Sequence, residues 1–255
     1  MEVLKVVAEG LTTSFRYPHF MQGVQPTYEM PPPATLYGHV CSVLGEWFDP
    51  ANVEFAVHFT FAGRFQELEH THILRLATGR LPGTKIPKVL EGETNPFVRT
   101  ILFRPRLVLY LNRPEWAEAF RSPRYPVALG RSQDLFIYRS IEVVQLERTK
   151  RAYLEHTLAP YHLRRNTGQG VVVLMPRFLD YTYNRFPAFD RYLILHQRVH
   201  LKDFIHYESE PTFELWVDPT SPEINGDRLG LLFHCWLGEE EYGGAVPRMV
   251  RGYLG

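Results

Sequence analysis

The histidines are the first residues whose types and spacing indicate chemistry. The chain has 11 of them, and His196 and His200 stand four residues apart, as in a zinc-binding helix. Such a helix carries a glutamate after the first histidine, where this chain has Gln197. The apolar run before His196 predicts a strand instead, and residues four apart on a strand do not converge on one metal. His70 and His72 would share a strand face, but no set of thiolates or carboxylates accompanies them. We therefore predict neither a metal site nor a cofactor.

Metal-free cleavage of RNA is the second chemistry that the residues permit. It needs a general acid or base and a cation close to a 2′-hydroxyl. His19, Tyr37, His39 and His58 carry suitable groups, although their spacing does not show that they converge. The sequence contains no nucleophile elbow, phosphate-binding glycine loop or dinucleotide fingerprint. The residues alone leave open whether the protein is a metal-independent endoribonuclease.

Binding of phosphate is a third possibility, at the polar turn from Gly130 to Leu135. Gly130 can adopt a positive φ, and the amides that follow it, with Arg131 and Ser132, could hold a phosphate group. A turn that ends in Asp134 also forms for purely structural reasons, because aspartate is a common turn residue. Both interpretations stay open.

Aromatic and basic residues alternate in the segment Phe15-Arg16-Tyr17-Pro18-His19-Phe20, directly after a predicted first strand. Aromatic faces stack on bases while arginine contacts phosphate, so this mixture suits single-stranded nucleic acid. Packing of the same rings on a neighbouring loop is the alternative.

Charge is balanced in total but not along the chain. The sequence has 28 Lys and Arg and 28 Asp and Glu. Residues 64–106 hold eight basic against four acidic residues, residues 148–202 hold ten against three, and residues 203–241 hold one against ten. The two basic blocks could meet phosphates, and the acidic block could meet a basic partner or lie in solvent.

Composition indicates a globular protein of the cytoplasm. Of 255 residues, 45% are hydrophobic and 22% charged. We expect no membrane span and no signal peptide, because no apolar run is long enough and no charged segment precedes one. Cys41 and Cys235 lie far apart, and we expect no disulfide.

A proline-initiated helix is the first element that could position these groups. Pro31, Pro32 and Pro33 exclude a central strand, but a proline at the first helical position is tolerated, so Pro33 can open a helix. Large apolar residues then recur at helical spacing up to Phe48, at Leu36, Val40, Val43, Leu44, Trp47 and Phe48. The other side carries small residues, at Gly38, Ser42 and Gly45.

The remaining elements predict an α+β fold. Strands are expected at 3–9, 53–61, 107–111 and 135–147, and a short helix at 115–120. Strand, helix, strand, then strand, helix, strand is the order of a ferredoxin-like (RRM-like) unit, with one sheet face under the helices and the other free. Residues 63–104 form an oversized basic insertion, for which we expect an extended hairpin. Residues 148–255 predict a second, β-rich C-terminal lobe, packed on a first domain of residues 1–147, with strands at 171–174, 192–195, 213–217 and 229–233.

Two motifs carry a resemblance to a known family. The proline-rich helix entry PTYEMPPPATLYG, residues 26–38, and the turn at residues 129–135 flank the basic insertion in this order. The sequence resembles the fifth CRISPR-associated (Cas) family, the RAMP-type subunit of type I Cascade complexes. The resemblance covers residues 3–147 and implies a ferredoxin-like RAMP domain whose insertion is a protruding thumb.

The resemblance implies a structural function in a ribonucleoprotein of antiviral defence. Family members cap the five-prime handle of the guide RNA (crRNA) and contact the large subunit and the first backbone RAMP subunit, and the complex meets target DNA. One subgroup also cleaves precursor RNA, with a tyrosine late in the first helix and a Lys-His pair. That tyrosine position falls near Leu44, and the chain has no Lys-His dipeptide. We therefore expect a type I-B-like, non-catalytic member.

Contacts with RNA are expected from nine residues. Handle binding needs phosphate contacts from arginine and amides, with stacking or base-edge contacts, but no acid–base pair. The predicted contacts are Arg16, Tyr17, Tyr37, His39, Arg99, Arg104, Arg131, Ser132 and Gln133.

Overall fold

The computed structural model describes residues 1–20, 23–181, 184–205 and 214–237. Within these ranges the fold is α+β, rich in strands and with few helices. The α-helices are α1 (Pro33–Leu44), α2 (Ala117–Arg121) and α3 (Arg164–Thr167), and 3₁₀ turns lie at Pro114–Trp116, Tyr161–Leu163 and Leu201–Asp203. No helix in the described ranges has both the length and the apolar character that crossing a membrane requires.

The strands are numbered in chain order. They are β1 (Glu2–Gly10), β2 (Thr12–Thr13), β3 (Phe15–Arg16), β4 (Val24–Gln25), β5 (Thr27–Tyr28), β6 (Glu54–Thr60), β7 (Gly63–Leu76), β8 (Leu90–Phe103), β9 (Arg106–Leu111), β10 (Phe136–Gln145), β11 (Glu147–Thr149), β12 (Ala152–Leu154), β13 (Thr157–Pro160), β14 (Val171–Asp180), β15 (Phe186–Leu195), β16 (Val199–His200), β17 (Leu215–Val217), β18 (Glu223–Ile224), β19 (Asp227–Leu231) and β20 (His234–Cys235).

The main sheet is antiparallel, in the order β10-β1-β9-β6-β13-β15-β14, with β20 also paired to β6. The strands predicted from alternation at 53–61 and 107–111 are β6 and β9. Helix α1 covers one face of the sheet, over a core that includes Phe55, Phe59 and Trp236. Strands from both sides of residue 147 share this sheet, and the division into two domains there stays a prediction.

The second face of the main sheet is covered as well. A smaller sheet, in the order β11-β17-β19-β12-β16 with β18 on β19, packs there, and Ala56, Tyr110 and Leu231 lie in the buried layer between the sheets. The fully buried Asp218 accepts hydrogen bonds from Lys5 and from the Tyr110 hydroxyl, the latter at 3.0 Å. The expectation of a free sheet face is therefore wrong, because the C-terminal strands cover it. Of the C-terminal strands predicted, β14, β15, β17 and β19 are present, and Phe213 lies outside the described residues.

Pro33 and Gly45 determine where helix α1 begins and ends. Pro33 occupies its first turn, and Gly45 takes a left-handed conformation at φ 83°, with its N–H donating to the Cys41 carbonyl. The helix therefore ends at Leu44 rather than at the predicted Phe48. On its small-residue side, Gly38 lies near Tyr181, the residue that follows β14, since a Cβ on Gly38 would lie 3.9 Å from the Tyr181 hydroxyl.

The basic insertion is a long antiparallel hairpin of β7 and β8. Fourteen residues of each strand pair in continuous register, from Gly63 opposite Phe103 to Leu76 opposite Leu90. Among the described residues, strand pairing attaches the hairpin to the rest of the fold along residues 98–103 of β8, where β2 pairs with residues 102–103 and β4 with residues 98–99. Most side chains further out are exposed, so the hairpin projects from the sheet as an arm.

Candidate nucleic-acid interface

The turn at Gly130 is built so that only glycine fits. Its φ is 109°, and a Cβ there would lie 2.4 Å from Oγ1 of Thr13 and 3.0 Å from the Ser14 carbonyl oxygen. The Thr13 hydroxyl donates to the carbonyl of Leu129, and the Ser14 hydroxyl donates to the carbonyl of Thr100 in β8 at 2.9 Å. The segment after β1 is therefore held between the turn and the base of the hairpin.

Asp134 organises the turn from inside. Its carboxylate is 1% exposed and accepts from the Arg131 amide at 2.9 Å, from the Arg131 guanidinium at 2.8 and 3.0 Å, and from the Thr12 hydroxyl at 3.1 Å. The hydrogen bond that the Arg131 guanidinium donates to Asp134 raises the pKa of Arg131 further above its usual value. A buried carboxylate with this many donors is fully satisfied, so the turn is rigid.

A chain of ion pairs joins the turn to the hairpin. Nη1 of Arg131 donates to Oε1 of Glu69 in β7, and Nε of Arg99 in β8 donates to the other oxygen of Glu69 at 2.8 Å. The order is Arg99, Glu69, Arg131, Asp134, and the side chains of both arginines are mostly buried. The four-residue chain, named here the Arg131 network, fixes the hairpin against the turn.

Two of the predicted RNA contacts, Arg131 and Arg99, form ion pairs within the Arg131 network. Arg131 and Arg99 are held by carboxylates, and the Arg131 amide is also engaged, so neither supplies a free cation. Both arginines hold the hairpin against the glycine turn. Sequence reasoning missed Glu69, Thr12 and Thr13, because their partners lie far away along the chain.

Four predicted contacts have exposed side chains, on or next to the segments that the Arg131 network joins. Ser132 and Gln133 form the tip of the turn, where the serine hydroxyl donates to the glutamine side chain at 3.4 Å. Arg104 follows β8 with φ 50°, and its N–H donates to the Leu11 carbonyl at 2.8 Å. Arg16 lies in β3, directly after the held segment 12–15. These side chains are free to meet a ligand.

Tyr17 stacks within the protein. Its ring centroid lies 3.7 Å from that of Tyr28, and Phe20 packs against its edge at 6.0 Å. Partial burial and the charge of Glu29 raise the pKa of Tyr17. One face of the ring is thus occupied, and His19 is stacked on Phe189 at 5.5 Å.

Tyr37 and His39 are core residues. Tyr37 is 2% exposed, and its hydroxyl donates to the Phe48 carbonyl at 2.6 Å. His39 is 4% exposed; Nδ1 donates to the Ala128 carbonyl at 3.0 Å, and Nε2 accepts from the Tyr138 hydroxyl at 2.9 Å. Burial lowers the pKa of His39, which stays neutral. Both residues pack in the core, and their contact with RNA stays a prediction.

The histidines form no metal site in the described residues. His196 pairs with Glu29 at 3.1 Å, and Glu29 also accepts from Arg64 at 2.6 Å. His58 lies 5.7 Å from His156, edge to face, and burial together with His156 lowers the pKa of His58 to about 4. His200 binds Asp227 at 2.6 Å, away from His196.

Comparison with solved structures gives the class of fold. A chain titled "CRISPR RNA-guided surveillance complex" has a TM-score of 0.50 and 14% identity, with 81% of this chain and 95% of that chain covered. A CRISPR protein from Archaeoglobus fulgidus has a TM-score of 0.44 and 11% identity, covering 92% and 100%. A chain of a type III-B Cmr-beta complex bound to cognate target RNA and AMPPnP has a TM-score of 0.40 and 11% identity, covering 78% and 86%.

The first of these likenesses shows the fold that this chain shares with a subunit of a CRISPR surveillance complex. No protein-family model matches the sequence, and no curated protein matches it either.

Proposed function

We propose that the protein is a structural RNA-binding subunit of a CRISPR RNA-guided complex. In this proposal it belongs to the fifth CRISPR-associated family and caps the five-prime handle of the crRNA in a type I Cascade. The elements β1, α1, β6, β9, α2 and β10 form its ferredoxin-like (RRM-like) unit, and the β7–β8 hairpin is its thumb. Its partners are the large subunit, the backbone RAMP subunits and, through the complex, target DNA.

The observation that carries the proposal is the Arg131 network. It holds the glycine turn, the segment 12–15 and the base of the hairpin in one place, and Arg16, Arg104, Ser132 and Gln133 are exposed on or next to these segments. A rigid wall with exposed arginines and polar tips suits a folded RNA end, since phosphate contacts position the strand and polar tips read base edges. No acid–base pair is needed for this function.

Binding of handle RNA tests the proposal. The purified protein is titrated with repeat-derived handle RNA and with a scrambled RNA of the same length, at several salt concentrations. We expect the protein to bind the handle RNA more tightly than the scrambled RNA. For the Arg16→Gln/Arg104→Gln variant, the slope of log affinity against log salt concentration should become shallower by about 0.7 for each phosphate contact that the substitutions remove. The control variant is Arg121→Gln/Arg139→Gln, which removes two exposed arginines that already have carboxylate partners. Equal affinity for both RNAs contradicts the proposal.

A metal-independent endoribonuclease is the second candidate, favoured by the pair of His196 and Glu29. The carboxylate can orient the imidazole, and Arg64 supplies a cation on the same carboxylate. Labelled repeat RNA incubated with the protein and a chelator separates the two candidates. A discrete cut that His196→Asn abolishes, and that His70→Asn leaves, supports cleavage; intact RNA supports the structural role.

A further inference from the structure

Three exposed residues form a row across the main sheet, far along the chain from the Arg131 network. The β13–β15 pairing ends at Pro160 opposite Tyr192, and Tyr161, which begins the 3₁₀ turn that follows, lies next to Arg191. On the other side of β15, Arg191 pairs with Leu174 of β14. Tyr161 is 36% and Leu174 46% exposed, and Arg191 is exposed too. The row thus presents a ring, a cation and an apolar side chain together.

Two arginines converge on Tyr161. Nη1 of Arg164 donates to the Tyr161 hydroxyl at 3.3 Å, and Cζ of Arg191 lies 5.7 Å from the centre of the ring. The hydrogen bond from Arg164, followed by the charges of both arginines, lowers the pKa of Tyr161. The hydroxyl accepts this hydrogen bond, but a phenol is not the ion-pair partner of a guanidinium group that a carboxylate is.

Among the described residues, the positive charge of this surface has no carboxylate partner. In the Arg131 network each arginine has a carboxylate, but the described residues place none within ion-pairing distance of the Arg164 or Arg191 guanidinium. Asp190 uses its carboxylate for the backbone N–H of Arg191 at 2.7 Å, and it lies 3.9 Å from Arg177. Alternation along β15 also points its side chain to the opposite face of the sheet. Arg165, exposed and next to Arg164, adds a third positive charge.

We infer that Tyr161, Arg164, Arg191 and Leu174 form a second nucleic-acid site, for the sugar–phosphate backbone and bases of a single strand. Guanidinium groups without carboxylates bind phosphates, and the tyrosine ring offers a face on which a base stacks. Leu174, directly across from Arg191, extends the apolar floor under that base. An acidic peptide would use the charges but would have no use for the ring and the apolar floor. The site does not depend on the proposed handle contacts.

Binding of unstructured oligonucleotides tests the inference. The full chain is titrated with fluorescently labelled 20-mers of uridine and of deoxythymidine, which contain no handle sequence. Arg164→Gln/Arg191→Gln is expected to weaken binding and to reduce the magnitude of the log–log salt slope by about 1.4, for two phosphate contacts on a single strand. Tyr161→Ala is expected to raise Kd by about fivefold or more, while Tyr161→Phe, which keeps the ring, stays close to wild type. The RNA and DNA arms identify which strand the site prefers.

Arg121→Gln/Arg139→Gln, which removes the same net charge elsewhere, is the matched control, and circular dichroism verifies that each variant is folded. Equal loss of binding in the two double variants overturns the inference, as does no loss in either. Competition by polyglutamate as effective as competition by unlabelled oligonucleotide at equal charge also overturns it. Failure of the handle proposal would show differently, as loss of discrimination between handle and scrambled RNA.

Discussion

At the scale of single residues, Gly130 is a position that the surrounding atoms constrain closely. Its positive φ and its contact with Thr13 together exclude a side chain. Gly63, at the start of the hairpin, has an open environment, since nothing lies within 4 Å of a Cβ placed there. The two glycines therefore form a matched pair for mutation.

Gly130→Ala is expected to lower the free energy of unfolding by about 2 kcal/mol or more, because backbone strain adds to displacement of Thr13. Gly63→Ala is expected to change it by less than about 0.5 kcal/mol. Urea unfolding followed by circular dichroism measures both. Equal effects of the two substitutions would mean that the turn relaxes freely.

Buried histidines give the protein a pH-dependent stability. Burial lowers the pKa of His58 and of His234 to about 4 in the folded chain, from about 6.5 when unfolded. The unfolded chain therefore takes up protons first, so stability is full above about pH 6.5 and falls as the pH drops towards 4. At pH 5 each histidine is expected to cost roughly 2 kcal/mol. Unfolding at pH 7 and pH 5 measures the loss, and His58→Gln should reduce it; a pH-independent stability would contradict the assignment.

At this scale the sequence predicted the glycine turn but not the side-chain contacts that hold it. The turn of residues 130–134 was predictable from its glycine and aspartate. The Arg131 network was not, because Glu69 lies 62 residues from Arg131 and no local pattern joins them. Tyr37 and His39 share a helix with Leu36 and Val40, and the sequence does not show which side of that helix a second layer covers.

At the scale of elements, the hairpin is coupled to the turn through a few side chains. Glu69 and Arg131 are both mostly buried, so solvent screens their attraction less than it screens a surface pair. Lys88 and Glu91, near the tip of the same hairpin, form an exposed pair for comparison.

A double-mutant cycle with Glu69→Gln and Arg131→Gln is expected to give a coupling free energy of about 1 kcal/mol or more. The cycle with Lys88→Gln and Glu91→Gln is expected to give about 0.3 kcal/mol, a value typical of exposed ion pairs. Denaturant unfolding of the four variants of each cycle supplies the values. Equal coupling free energies in the two cycles would indicate that the pair of Glu69 and Arg131 stabilises the fold no more than an exposed ion pair does.

Periodicity decided which elements were predictable. Strands β6 and β9 and helix α1 have clear alternation or helical spacing, and the hairpin followed from its length and basic flanks. Strands of two or three residues, such as β2, β4 and β16, are too short to carry a period. Long-range partners define them, and the sequence does not specify those partners.

At the scale of the whole molecule, the two sheets and the hairpin are separate contributions to stability. The sheets enclose buried layers, whereas the outer hairpin lies in solvent. In the described part of the chain, hydrogen bonds from residues 70–96 stay within the hairpin. The outer hairpin therefore lies outside the buried layers that stabilise the fold.

Replacing residues 70–96 with an Asn-Gly turn joins the paired residues Glu69 and Phe97. The change is expected to leave the free energy of unfolding within about 1 kcal/mol, because the shortened hairpin keeps its base and its register and the core stays intact. Thermal unfolding measures the change. A large loss of stability would show that the outer hairpin supports the fold. Unchanged affinity for RNA would show that the outer hairpin is not part of the proposed interface.

The length of the hairpin means that a small rotation near its attachment would move its tip by a large distance. Beyond Glu69, the seven residues 70–76 at about 3.4 Å each give an arm roughly 24 Å long. A tilt of about 10° at Glu69 would move the tip by roughly 4 Å, close to the spacing between neighbouring strands. The ion pairs of Arg131 and Arg99 with Glu69 lie near the pivot, so a small rearrangement of three side chains there would set where the far end of the arm points.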